Sequence, residues 1–219
     1  MHLKKSTFFL FLFVSFFFES HAQIAEDFSE EVALIALRND SVWNQNRETI
    51  VFTGSSSVRL WEGLEDLFPD YQVLNTGFGG SQTSDLLEHI QPLVLSYQPK
   101  KVFIYEGDND LIFKKYPARI IRTTKKVINS IWQQYPNTQI VLISAKPSIV
   151  RWHLKKRYQR LNKKFKKLAE DTSQLYFVNV WDSMLQNGAI DESLFIEDGL
   201  HMNQKGYDLW YEAIKPFLN

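Results

Sequence analysis

The chain contains no cysteine among its 219 residues. That excludes disulfides, cysteine nucleophiles, thiolate zinc sites and a lipid-modified cysteine, so its stability must come from packing. An excess of either charge is also missing, with 25 Lys and Arg against 25 Asp and Glu. The balance gives no overall reason to expect nucleic acid or stable association with an anionic membrane. Repeats and low-complexity stretches are absent, and long apolar runs are absent with one exception at the start. There Lys4 and Lys5 precede an apolar run from Phe8 to Phe18, followed by Ser20-His21-Ala22. This is the pattern of a secretory signal peptide over 1–22, with cleavage expected between Ala22 and Gln23. The run is too short to span a bilayer core, which takes about 20 apolar residues as a helix. It predicts export to the periplasm or beyond the cell and leaves 23–219 as a single domain.

Beyond the leader, short β-rich apolar runs alternate with longer segments of helical period. Strands are predicted at 49–53, 72–75, 102–105, 139–144 and 175–180, and helices at 58–68, 84–95, 117–134, 154–170 and 204–217. A leading helix is predicted at 29–38. Such alternation predicts an α/β fold with a mostly parallel sheet between helices. Ligands in such folds bind where the loops leave the carboxyl ends of the strands. Those loops read Gly54-Ser55-Ser56-Ser57, Asn75-Thr76-Gly77-Phe78-Gly79-Gly80, Glu106-Gly107-Asp108-Asn109-Asp110 and Ala145-Lys146-Pro147-Ser148.

Two common motifs are missing. Val58 occupies the last position of a Gly-x-Ser-x-Gly elbow, and Gln82 stands where a dinucleotide fingerprint needs its third glycine. What the loops do offer is a nucleophile, a base, a group to orient that base and donors for an oxyanion. Of the histidines past the leader, His89 lies in a helical apolar stretch and His153 in a basic segment. His201 closes Asp198-Gly199-Leu200-His201 just before Asn203, a candidate N-cap. A carboxylate three residues ahead, across a turn containing glycine, can accept from the imidazole Nδ1 and leave Nε2 free to take a serine proton. The same string can also simply cap a turn. Ser56 is the candidate nucleophile at a strand-to-helix junction, with Ser55 and Ser57 as rivals. Gly80 and Asn109 are the candidate oxyanion donors.

Four segments in this order resemble the SGNH, or GDSL-like, hydrolase superfamily, in particular its platelet-activating-factor-acetylhydrolase-like secreted branch. The likeness runs from about Val51 to the C-terminus. It implies a three-layer α/β/α sandwich with a five-stranded parallel sheet, a flavodoxin-like arrangement, and neither metal nor organic cofactor. Carried over residue by residue, Ser56 is the nucleophile, Asp198 and His201 complete a triad, and the Ser56 N–H, Gly80 and Asn109 form the oxyanion hole. The family's Gly-Asp-Ser opening is Gly54-Ser55-Ser56 here.

Substrate class is read from less. Trp61, Phe78 and Trp152 are candidates for stacking on a sugar or lining an acyl pocket, the alternative being that they belong to the core. The basic run from Arg151 to Lys167 carries Leu154, Tyr158, Leu161, Phe165 and Leu168 at helical spacing, so it reads as a core-facing stripe with a solvated cationic face. With no long apolar lid, the expectation is release of a short acyl group from a carbohydrate or small ester. The alternatives are a lysophospholipase or thioesterase, a non-catalytic glycan-binding module, and metal-dependent hydrolysis through Asp108, Asp110, Asp198 and His201.

Overall fold

The computed structural model describes residues 27–218, so the leader falls outside the described residues. Five strands form one parallel sheet: β1 (Thr49–Gly54), β2 (Gln72–Gly77), β3 (Lys101–Tyr105), β4 (Gln139–Ile143) and β5 (Leu175–Val178), in the order β2-β1-β3-β4-β5. These strands are near-continuous apolar runs because both faces of the sheet are covered. Their side chains divide by twos. Val51, Val102, Ile104, Ile140 and Leu142 enter one core, and Ile50, Phe52, Phe103, Tyr105, Val141 and Ile143 enter the other.

The first core is closed by α1 (Ser29–Val42), α3 (Thr83–Glu88), α4 (Ile90–Leu93), α6 (Pro117–Gln134) and α7 (Lys155–Glu170). The second is closed by α2 (Ser56–Arg59) and α8 (Gln204–Ile214), and α5 (Asp108–Ile112) follows β3. In α6, Ile120, Thr124, Val127, Ile128 and Ile131 are buried, the spacing of one helix face. In α7 the buried side chains are Tyr158, Leu161, Asn162 and Phe165, so the expected stripe forms and most of the lysines face outward. Each fully buried aliphatic or aromatic side chain on these stripes stabilises the layers by roughly 1.5–3 kcal/mol.

Three expected helices are shorter or broken. The segment expected over 58–68 is only the single turn of α2 and a 3-10 turn at Leu64–Leu67, parted by Gly63 at φ +68. The stretch over 84–95 divides at His89 into α3 and α4, because Pro92 has no N–H and its ring crowds the carbonyl four residues back. The last helix gives way to a 3-10 turn at Lys215–Phe217, where Pro216 enters. The leading helix, by contrast, runs on to Val42. A two-stranded hairpin, β6 (Leu185–Gln186) and β7 (Ala189–Ile190), turns on Asn187 and Gly188 at φ +53 and +77, the combination a tight primed turn requires.

Candidate active site

The chain reverses direction across the sheet between β1 and β3, since β2 lies on one side of β1 and β3 on the other. At that switch point the loops after both strands splay apart and open a crevice at their carboxyl ends. Gly54 ends β1 at φ +128, and a Cβ there would stand 2.0 Å from the Tyr105 carbonyl oxygen. Only glycine lets β1 and β3 come this close. The Ser55 N–H donates to that same carbonyl at 3.1 Å, and the Phe78 N–H donates to the Gly54 carbonyl at 2.9 Å. The three loops are thereby bound edge to edge, and α2 starts at Ser56 directly above them.

Ser56 Oγ lies 2.9 Å from His201 Nε2, across 145 positions of sequence. His201 Nδ1 lies 2.6 Å from Asp198 Oδ2. The other carboxylate oxygen, Oδ1, accepts from the backbone N–H groups of Leu200 at 2.8 Å and His201 at 2.9 Å. With a carboxylate against Nδ1, that nitrogen carries the proton and Nε2 presents its lone pair to the serine hydroxyl. Burial pushes the Asp198 carboxyl up, but the His201 and Leu200 N–H groups and the imidazole together outweigh it and hold it below the usual carboxylate range. The histidine therefore faces an anion.

The Asp198–His201 turn is held in place from several directions. Gly199, at φ +63, passes against Ile149 and Val150, whose N–H groups donate to its carbonyl at 2.9 and 3.3 Å. The Ile196 N–H donates to the His201 carbonyl at 3.0 Å, and Phe195 bridges Met202. Lys146 Nζ donates to the Leu200 carbonyl from beneath. Asn203 then caps α8 by accepting from the Gly206 N–H, as the sequence predicts. Tyr207 on that helix donates to the Ser57 carbonyl at 3.1 Å, binding α8 to α2.

Of the oxyanion candidates, Gly80 sits exposed on its loop at φ +69. Asn109 is buried and donates one amide N–H to the Ser81 carbonyl at 2.9 Å. Ser81 in turn donates to Glu106 Oε1 at 2.7 Å. Burial, and then the nearby Asp110, push the Glu106 carboxyl well above its ordinary range.

The expected rivals separate cleanly. Ser55 and Ser57 are buried, and of the three serines Ser56 is the one in contact with His201. His89 is half-buried with its ring edge-on to Phe78, and His153 is exposed. Two substrate-binding expectations are corrected. Trp61 is 2% exposed and packs among Phe52, Tyr207 and Trp210, and Phe78 is 0% exposed against Phe28. An aromatic ring on a loop at the sheet edge can turn into either core, and here the second core takes Trp61 and the first takes Phe78. Trp152 is half-buried, stacked on Trp181 with Lys155 over its ring. The carboxylates of the metal reading point to other partners: Asp108 accepts from Arg151, Tyr105 and Tyr158, and Asp110 from Thr83 and Lys115. Among the described residues no three His, Cys, Asp or Glu side chains converge as a metal site.

Two cations behind the site, one buried and one half-buried, were not singled out from the sequence. Lys146 is 0% exposed; burial lowers its ammonium to about 8 despite the opposing pull of Asp108 and Asp198. Arg151, read from the sequence as part of a solvated basic face, has a side chain only 14% exposed. Its Nη1 donates to Asp108 Oδ1 at 2.6 Å and to Asn109 Oδ1 at 3.1 Å. The one available signal was its place directly after the fourth strand's loop, at the same edge as the other site loops.

This arrangement can be set beside known proteins. The model of the GDSL-like lipase/acylhydrolase family matches residues 40–209. The chain belongs to that family. It is accordingly a carboxylic ester hydrolase of the GDSL, or SGNH, type. Among solved structures, a candidate platelet activating factor from Streptococcus pneumonia is 25% identical with a TM-score of 0.77, over 87% of this chain and 92% of that one. A candidate acylhydrolase from Bacteroides fragilis is 21% identical with a TM-score of 0.75, over 89% and 98%. An acetylxylan esterase from Geobacillus stearothermophilus is 16% identical with a TM-score of 0.62, over 77% and 93%. The last two likenesses establish the fold of this GDSL-like hydrolase, the five-stranded parallel sheet between helices. No curated protein matches its sequence.

Proposed function

We propose that the protein is an exported serine esterase that removes a short acyl group, above all acetyl, from a carbohydrate or small ester. Ser56 is the nucleophile, His201 the base and Asp198 the group that orients it. The observation that carries this reading is the unbroken chain from Asp198 Oδ2 to His201 Nδ1 at 2.6 Å and from His201 Nε2 to Ser56 Oγ at 2.9 Å. As Ser56 attacks the ester carbonyl, His201 takes the hydroxyl proton and becomes an imidazolium against the Asp198 carboxylate. The Ser56 N–H at the start of α2, the Gly80 backbone and the Asn109 amide receive the developing oxyanion. His201 then gives its proton to the departing alcohol, and a water molecule releases the acyl group by the same steps in reverse.

A short acyl group is supported by the brief connection between β2 and α3, five residues from Phe78 to Gln82, which leaves little chain for a lid. Acetylated carbohydrate is supported by the acetylxylan esterase among the structural neighbours. Export is supported by the leader. Labelling of the purified protein by a fluorophosphonate, lost in Ser56→Ala and kept in Ser55→Ala and Ser57→Ala, tests the nucleophile. Retention of label in Ser56→Ala would overturn it.

One observation favours a second reading, hydrolysis of longer acyl chains as in a lysophospholipase. Ile149, Val150 and Ile196 are 38%, 51% and 47% exposed beside the Asp198–His201 turn, and an aliphatic rim there suits an alkyl chain. Rates on p-nitrophenyl acetate, butyrate and octanoate decide between the two. A kcat/KM that falls with chain length supports acetyl release, and one that climbs to octanoate replaces it with the lipid reading.

A further inference from the structure

We infer that Arg151 is a positioning residue for the oxyanion-binding amide, holding Asn109 by its carbonyl oxygen so that one amide N–H is fixed toward the reacting ester. The inference rests on the serine-esterase reading above. It begins from the two atoms of the Asn109 amide. Nδ2 has two hydrogens, and one donates to the Ser81 carbonyl at 2.9 Å. Oδ1 accepts from Arg151 Nη1 at 3.1 Å. Turning the amide over would set its N–H against the guanidinium and its oxygen against the Ser81 carbonyl, two repulsive contacts in place of two hydrogen bonds. The second Nδ2 hydrogen, which has no partner among the described residues, is therefore held in one direction.

Arg151 can do this because it is itself immobilised. The same Nη1 donates to Asp108 Oδ1 at 2.6 Å, and Asp108 also accepts from the hydroxyls of Tyr105, at 2.9 Å, and Tyr158. Burial pushes the Asp108 carboxyl up, but the Arg151 guanidinium, Lys146 and the Tyr158 hydroxyl hold it below the usual range, so it stays an anion. A buried carboxylate with the buried Lys146 and the half-buried Arg151 guanidinium beside it places positive charge behind the amide. A hydrogen bond from a cation to the amide oxygen also draws electron density from nitrogen, which makes the free N–H the stronger donor. Both effects grow as negative charge develops on the substrate oxygen, so they act on the transition state rather than on substrate binding.

The test is a double-mutant cycle between Arg151→Gln and Asn109→Ala, with kcat and KM measured on p-nitrophenyl acetate and folding followed by thermal melting. Removal of one oxyanion donor typically lowers kcat by about 100- to 1,000-fold. Arg151→Gln is expected to lower kcat by roughly 10- to 100-fold with KM within about twofold, and to add less than about threefold once Asn109 is alanine. Arg151→Lys, which keeps a cation for Asp108 without the planar fork, is expected to recover part of the loss and serves for the same cycle if the glutamine variant does not fold. Penalties that multiply in the double variant, or a lowered melting temperature with kcat unchanged, would overturn the inference. Absence of fluorophosphonate labelling in the wild-type protein would instead count against the serine-esterase reading itself.

Discussion

Replacing Asp198 by asparagine changes one atom type in the site, and the geometry says which way the new amide must turn. The carboxylate serves two sides. Oδ1 accepts from the Leu200 and His201 N–H groups at 2.8 and 2.9 Å, and Oδ2 faces His201 Nδ1 at 2.6 Å. If the amide oxygen takes the Oδ1 place, both turn hydrogen bonds survive and an NH2 group faces Nδ1. That nitrogen must then be the acceptor, the ring proton moves to Nε2, and the Ser56 contact reverses direction instead of breaking. If the amide nitrogen takes the Oδ1 place, two backbone donors face a third donor, at about 1 kcal/mol or more for each lost bond. The first orientation therefore wins by about 2 kcal/mol, and it is the unproductive one. Losing the charge-assisted bond that would stabilise the imidazolium adds about 2–3 kcal/mol. The sum, about 4–5 kcal/mol, corresponds to a fall in kcat of roughly 10³-fold at 1.4 kcal/mol per decade. Because the turn bonds persist, the melting temperature should move by no more than about 2 °C. Asp198→Ala loses those turn bonds and should melt lower, while its imidazole regains the choice of tautomer and its kcat should exceed that of the asparagine variant. Hydrolysis of p-nitrophenyl acetate and thermal melting of the two variants make the comparison. An Asp198→Asn protein that folds normally and keeps kcat within tenfold of wild type would refute the orientation argument and the role assigned to Asp198.

Other substitutions probe the scaffold. Burial lowers Lys146 from 10.5 to about 8, so its contribution to stability is fully present only above 10.5 and is lost as pH falls through about 8. Denaturant unfolding of wild type and Lys146→Met should shift in favour of wild type between pH 7 and about 9.5, and a constant difference would contradict the burial of that charge. Glu106 is displaced upward, so its contribution is full below 4.5 and is lost as pH rises toward its folded value. Glu106→Gln should match wild type near pH 4.5 and become the more stable of the two at pH 8. A Glu106→Gln protein less stable than wild type at pH 8 would contradict the upward displacement. At Gly54 an alanine Cβ would stand 2.0 Å from the Tyr105 carbonyl oxygen at φ +128, whereas at Gly63 it meets nothing within 4 Å at φ +68. Gly63→Ala should lose about 1–2 kcal/mol, the left-handed penalty alone, while Gly54→Ala should lose more than about 4 kcal/mol or fail to fold. Comparable melting temperatures for the two would refute the close strand approach.

The sheet was legible because a strand covered on both faces must be apolar nearly throughout, and Val102 to Tyr105 or Ile140 to Ile143 can be little else. The meeting of Ser56, Asp198 and His201 was legible for a different reason. Two of the three lie three residues apart in one turn, and the third sits where a strand feeds a helix. What escaped depends on distant partners. Which core claims Trp61 or Phe78 is decided by neighbours such as Trp210 and Phe28, and no local pattern names them. The helix expected from 58 to 68 failed because a left-handed glycine and short apolar spacing favoured a 3-10 turn that tucks Leu64 and Phe68 under the sheet. Arg151 resembles its basic neighbours in sequence, yet its acceptors lie 43 and 42 positions away and remove it from the solvated face.

The segment that follows β4, from Lys146 to Arg151, touches both halves of the candidate site although it supplies none of the proposed reacting groups. One end reaches the Asp198–His201 turn: Lys146 donates to the Leu200 carbonyl, and Ile149 and Val150 donate to the Gly199 carbonyl. The other end reaches the candidate oxyanion amide, where Arg151 donates to Asp108 and Asn109. The start of α2 is secured by Gly54 and Tyr105 through β3, and by Tyr207 through α8, the helix that follows His201. A geometry tolerance of a few tenths of an ångström between nucleophile, base and oxyanion donor cannot be met by three loops positioned separately. Here His201 and Asn109, the proposed base and oxyanion donor, share one short support, so a displacement of that support moves them together. The histidine is brought to Ser56 by a second tie, because α8 follows the exposed Asp198–His201 turn directly and its Tyr207 donates to the Ser57 carbonyl beside Ser56.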